Sequence, residues 1–252
     1  MINFGSGKMI AVPTHLADGT AIAVPQPVVL ATMQDVSLDM SVEIKTLYGA
    51  KRYPIAVGQG KGKIEVKAKS AEIDGAVLGS LFLGKAAAAG IKAAVFDSPA
   101  TIPDTPGPYT LTVVPPNSGA FVADLGILSA DTGTQLERVA GSPATGQYSV
   151  SAVGVYTFAS VDKLKPILMS YEYSASGGGK VWTMTNDVMG YTPSFTLLLQ
   201  NGFDGKNLVA KLNRCVSGKL ALPFKSDDFA VSDFDAQAFA DAAGNLGYIC
   251  LF

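Results

Sequence analysis

Histidine occurs once in this chain, at His15, and tryptophan once, at Trp182. A single histidine cannot build a His-rich metal centre, and Cys215 and Cys250, the two cysteines, do not sit at zinc-ligand spacing. Two cysteines in 252 residues are no disulfide framework either. They read as small buried hydrophobes. A Ser-His-Asp triad would have to use His15, yet no Gly-x-Ser-x-Gly elbow accompanies it. Charge is sparse: 16% of residues against about a quarter in an ordinary globular domain. Nineteen basic and 21 acidic residues leave a net charge of −2, so the totals carry no nucleic-acid footprint. A weakly acidic balance suits a surface past which DNA slides without sticking. The longest apolar run, Gly75 to Gly90, is broken by Lys85 and too short to span a membrane. Met1 to Lys8 lacks the charged start and apolar centre of a secretory signal. These absences point to a soluble protein made in a reducing cytosol, with no catalytic residues, no metal, no cofactor and no membrane insertion.

What the chain has is alternation. From Asp35 to Lys45 the even positions are apolar (Val36, Leu38, Met40, Val42, Ile44) and the odd positions polar (Asp35, Ser37, Asp39, Ser41, Glu43, Lys45). Successive side chains of a strand point to opposite faces, so this is a half-buried strand with one dry face and one charged face. Ile64, Val66 and Ala68 against Lys63, Glu65, Lys67 and Lys69 repeat the pattern. Antiparallel pairing of Val42 with Ile64, Met40 with Val66 and Leu38 with Ala68 also sets Glu43 opposite Lys63 and Asp39 opposite Lys67. The expected connection, Thr46 to Gly60, is a long loop, and such loops in compact domains are usually functional or disordered. Its apolar content (Leu47, Tyr48, Tyr53, Pro54, Ile55, Val57, beside Lys51 and Arg52) predicts docking on a partner.

Around this hairpin, residues 1–25 read as an extended arm with short strand pieces. Glu72 to Gly84 has helical spacing of Ile73, Val77, Leu78, Leu81 and Phe82, with Asp74 as cap and Gly84 as stop. Phe96 to Thr110, with four prolines, reads as a linker. Short strands with turn signals follow to the C-terminus, so the chain is mainly β. Gly58 to Lys63 and Gly5 to Lys8 lack the phosphate-loop sequence and read as hinges. Asp227, Asp228, Asp233, Asp235 and Asp241 have no closing Glu for calcium. They read as a solvated face, or as a negative surface that repels DNA phosphate. Paired carboxylates could serve a glycosidase, but aromatic platforms are few.

The run Ala31 to Gly49, then Tyr53 to Val57, then Gly60 to Lys69, then a short helix, resembles the tail tube (major tail) proteins of long-tailed bacteriophages. Phe224 to Gly247 is similar to the C-terminal strands of that family, and Gly146 to Val150, Gly154 to Phe158 and Ser170 to Tyr173 to β segments of phage structural proteins. The likeness covers residues 26–95 and 165–252; 96–164 departs from a minimal tube protein and reads as a β-rich, outward-facing insertion. The resemblance implies a β-sandwich or barrel of antiparallel strands with one short flanking helix, its inner sheet closing into a ring across subunits. It implies hexameric rings that stack into a conduit for DNA ejection, with a long loop reaching the next ring. On that reading Asp35, Asp39, Glu43, Glu65, Asp233 and Asp235 face the lumen. Leu47, Tyr48, Lys51, Arg52, Tyr53, Pro54, Ile55 and Val57 make the ring-stacking loop. Implied partners are further copies of the chain, a tape-measure protein, tail terminator and baseplate proteins, and DNA in transit without specific binding. The implied place is the virion tail, assembled in the host bacterial cytoplasm. Two alternatives stand beside it: another virion component, such as a capsid decoration or baseplate protein, and a carbohydrate-binding or adhesive β-sandwich using aromatics such as Tyr156 or Trp182.

Overall fold

A computed structural model of the chain describes residues 5–30, 32–72, 75, 77–105 and 107–252. The described chain is mainly β, with antiparallel sheets. It divides into two compact units, one formed by residues 1–86 and 182–252 and the other by 87–181. The boundaries differ from the sequence expectation of 96–164. Residues 88–95 and 166–181 pair with each other inside the second unit rather than with the principal domain.

The first unit contains β1 (Lys8–His15), β2 (Val28–Leu30), β3 (Met33–Tyr48) and β4 (Pro54–Ser70). The second holds β5 (Ala88–Thr101), β6 (Tyr109–Thr112), β7 (Ala120–Ser129), β8 (Glu137–Arg138), β9 (Gln147–Val150), β10 (Val155–Phe158) and β11 (Pro166–Val181). The chain then returns to the first unit with β12 (Ser194–Phe203), β13 (Lys206–Ala221), β14 (Ser232–Ala238) and β15 (Gly247–Leu251).

In the first unit the strand order is β2-β1-β12-β13-β14-β4-β3, with β15 on the edge of β13 that also carries β14. The expected N-terminal arm is therefore not separate. β1 sits between β2 and β12, and Met9 and Ala11 are fully buried. His15 Nδ1, 3.0 Å from Ser194 Oγ, and the Thr14 hydroxyl donating to the Ser194 carbonyl at 2.8 Å tie the end of β1 to the start of β12. The sheet curls around one core in which Phe195, Leu197, Leu212 and Phe234 meet Val66 and Ala68 of β4.

The helix expected over Glu72 to Gly84 is a short π-helix, Val77–Leu83, whose Leu81 enters the core. Ile73 and the expected cap Asp74 lie outside the described residues. Trp182 explains the glycines here: a Cβ on Gly75 or Gly79 would run into its indole. The segment thus trades helix propensity for close approach of a large ring.

In the second unit, β5-β11-β7 and β6-β10-β9-β8 form two sheets that share a core of Ile102, Ile127, Tyr148, Tyr156, Phe158, Ile167 and Met169. The expected linker from Phe96 is in part strand, because β5 runs through Pro99 to Thr101. β5 is an edge strand, where a missing N–H breaks no ladder bond. A bulge at Phe96-Asp97 lets the Asp97 N–H take the Ser170 hydroxyl instead, at 3.1 Å.

A second bulge, at Leu125, turns Asp124 to the core side of β7. Its carboxylate accepts the Tyr148 hydroxyl at 2.7 Å, the Tyr156 hydroxyl at 2.9 Å and the Gly126 N–H at 3.1 Å, with Arg138 3.7 Å away. Burial, reinforced by the hydrogen bonds to Asp124, pushes both phenols well above their ordinary value of 10. A neutral acid held neutral by the fold stabilises it below the unfolded pKa and loses that contribution as pH rises towards the folded one. Above pH ~10 the stability of this unit is expected to fall by ~1.4 kcal/mol per pH unit for each phenol. Denaturant melts at pH 9 to 11.5, followed with tyrosinate absorbance, check this. Ionisation of both phenols before unfolding would refute it.

Candidate functional site

The β3–β4 hairpin is longer than the sequence suggested. The segment expected as a loop, Thr46 to Gly60, is paired strand except for a turn at residues 49–53, and Leu47 lies opposite Ala56. The Gly58 to Lys63 stretch, expected as a hinge, is strand as well, with a bulge: Val42 pairs with Gly62 but Ile44 with Gln59, so β4 holds one residue more than β3. Glycine at position 60 leaves room for the Glu43 and Lys45 side chains, which a Cβ there would crowd.

The register is two residues away from the expected one. Met40 pairs with Ile64, Leu38 with Val66, Val36 with Ala68 and Asp35 with Lys69. A two-residue shift keeps every side chain on its face, so the alternation survives intact. It sets Asp39 directly opposite Glu65, an unfavourable pairing that diagonal neighbours relieve. Lys67 lies 3.8 Å from Asp39, and Lys63 pairs closely with Glu65 and holds its carboxyl below the usual range.

β14 extends this charged face. Asp233 stands beside Lys69 and Asp235 beside Lys67, while Phe234, Ala236 and Ala238 turn inward. Lys219 of β13 lies 3.6 Å from Asp233. The six carboxylates singled out from sequence (Asp35, Asp39, Glu43, Glu65, Asp233, Asp235) thus share one sheet face. They do so with five lysines, Lys45, Lys63, Lys67, Lys69 and Lys219. The result is a near-neutral checkerboard rather than an acidic wall. Sequence reasoning missed Lys219, because its place depends on which strand β14 joins.

The opposite character appears at the far half of the hairpin. Met40, Val42, Ile44, Leu47, Tyr48, Tyr53, Ile55 and Val57 are 49–75% exposed, and Lys51, Arg52 and Pro54 are exposed beside them. The core ends near Leu38 and Ile64, and the hairpin runs on without anything to pack against. β3, sixteen residues long, is also an edge of the sheet, with a row of unpaired backbone groups.

Other expected positions fall elsewhere. Cys215 is buried, its thiol pushed up to about 12 by desolvation, but Cys250 on β15 is exposed, contrary to expectation. Tyr156 is fully buried and Trp182 half-buried over Gly75 and Gly79, so neither offers an open sugar platform. Asp241 closes a turn by accepting the N–H groups of Ala243 and Asn245. Among the described residues no His/Cys/Asp/Glu group could hold a metal ion, and no helix is long and apolar enough to cross a membrane.

Compared with known proteins, the chain matches no protein-family model and no curated sequence.

Proposed function

We propose that this protein is a structural subunit of a bacteriophage tail tube, acting by self-assembly into stacked rings around a channel for DNA. The observation that carries the reading is the far half of the β3–β4 hairpin, a paired and well-formed element whose apolar side chains nothing in the single chain covers. A monomer seldom keeps so large an apolar patch in water, and such patches mark interaction surfaces. The long free edge of β3 adds to this, since closing a sheet across subunits removes its edges.

The charged face suits a lumen. A wall of bare lysines would hold phosphate by counterion release, and each such contact would add to a grip that DNA must break as it moves. Here Lys63, Lys67 and Lys219 each lie beside a carboxylate, so their charge is largely answered within the sheet. DNA would pass a surface that neither binds nor strongly repels it.

Negative-stain electron microscopy of the purified protein over a concentration series tests the proposal. Hollow rings that stack into tubes are the expected result. A monodisperse monomer at high concentration, with residues 46–60 resistant to protease, would overturn it. Defined oligomers that never stack would favour a decoration or baseplate role instead.

A further inference from the structure

The first unit has two ends of opposite character. At one end is the hairpin tip, where Lys51 and Arg52 stand among Leu47, Tyr53 and Ile55, with no acidic residue between positions 46 and 60. At the other end the segment 222–231 joins β13 to β14. There Phe224 and Phe229 are 95% and 85% exposed, and Asp227 and Asp228 lie between them. The pairing of Ala221 with Asp233, Ser232 with Ser70, and Ser70 with Met33 fixes this segment at the base of the hairpin. The tip is fifteen residues further along β3, about 50 Å away at strand rise. Lys225 answers Asp228 at 3.3 Å, but Lys51, Arg52 and Asp227 have no ion-pair partner among the described residues.

We infer that the hairpin tip of one copy docks on the 222–231 segment of a second copy, head to tail. Both surfaces are apolar; the tip carries two positive charges, while the base keeps a net negative one, because Lys225 answers Asp228 and leaves Asp227 over, and the two lie at opposite ends of the first unit, so neither can satisfy the other internally. An interface between two different patches propagates: every copy bound at its tip still offers its base. The inference rests on the tube reading and names the surface that receives the hairpin. A rival seat within the first unit is the groove of about 350 Å³ between Leu38, Met40, Leu208 and Ile249. Its one charged lining residue is Lys8, which would face Lys51 and Arg52 with like charge.

The test uses charge reversal in the full chain. One variant carries Lys51→Glu and Arg52→Glu, the other Asp227→Lys and Asp228→Lys. Each alone is expected to raise the concentration for half-assembly by about tenfold or more, because like charges then meet at the contact. An equimolar mixture is expected to regain assembly in alternating order. Sedimentation velocity reads the assembly, and circular dichroism confirms that both variants fold. Carboxyl–amine zero-length cross-linking of the wild-type assembly, read by mass spectrometry, should join Lys51 to Asp227 between copies. Wild-type stacks that tolerate both reversals, or that lack this cross-link, would overturn the inference and leave the tube reading standing. A wild-type chain that forms no oligomer at any concentration would overturn both.

Discussion

Replacing residues 46–57 by an Asn-Gly turn is expected to leave the first unit folded and to abolish self-assembly. The cut joins Lys45 to Gly58, which already lie opposite each other, so a two-residue turn closes the shortened hairpin in register. The removed side chains are exposed and lie outside the core, so the melting free energy should move by no more than about 0.5 kcal/mol. Assembly is different. Covering an apolar side chain is worth ~1.5 kcal/mol at the lower end, so five of them (Leu47, Tyr48, Tyr53, Ile55, Val57) contribute roughly 7 kcal/mol, about five powers of ten in association constant. Light scattering and electron microscopy of the shortened chain measure the loss, with a denaturant melt as the folding control. Assembly at the wild-type concentration would show that the hairpin tip is not the contact.

Asp124→Ala should be the most damaging single substitution in the second unit. The wild-type carboxylate, 3% exposed, receives two buried phenols and a backbone N–H at once. Removing it strands the hydroxyls of Tyr148 and Tyr156 in an apolar core and leaves Arg138 without its carboxylate. Each unsatisfied buried group costs ~1–3 kcal/mol, so a loss of about 3–5 kcal/mol is expected. For a unit of this size that lowers the melting temperature by at least ~12 °C. Asp124→Asn keeps one acceptor oxygen and the shape, so it should recover about half of the loss. Differential scanning calorimetry of the two variants decides it. Equal melting of Asp124→Ala and wild type would mean that the cluster is ornament rather than support.

Much of the first sheet can be read from the chain because its signal is local. Asp35 to Lys45 alternates without error, and a strand that alternates declares its faces before its partners are known. The hairpin's charged face followed from that, whereas only the family resemblance places Asp233 and Asp235 on it, and it is the pairing of β14 with β4 that brings them there. Register did not, since Leu38 packs nearly as well on Ala68 as on Val66, and the choice lies in contacts with β14 and the core. Glycine and proline misled twice for one reason. Gly58 and Gly60 suggested a hinge, and Pro99 a linker, yet an edge or a bulge tolerates both residues inside a strand. The Asp124 cluster was invisible because a single extra residue, Leu125, reverses which side of β7 the carboxylate faces.

The interleaving of the two units sets an order for biosynthesis. Residues 87–181 are continuous, so the second unit is complete once its last strand leaves the ribosome. The first unit must wait: β1 needs β12, and β4 needs β14, strands written more than 150 residues later. Until β14 is made the hairpin has no finished base, and until the residues just before β14 are made the 222–231 segment does not yet exist. On the docking inferred above, a nascent chain would carry one half of the contact before the other, so two unfinished chains could not join head to tail.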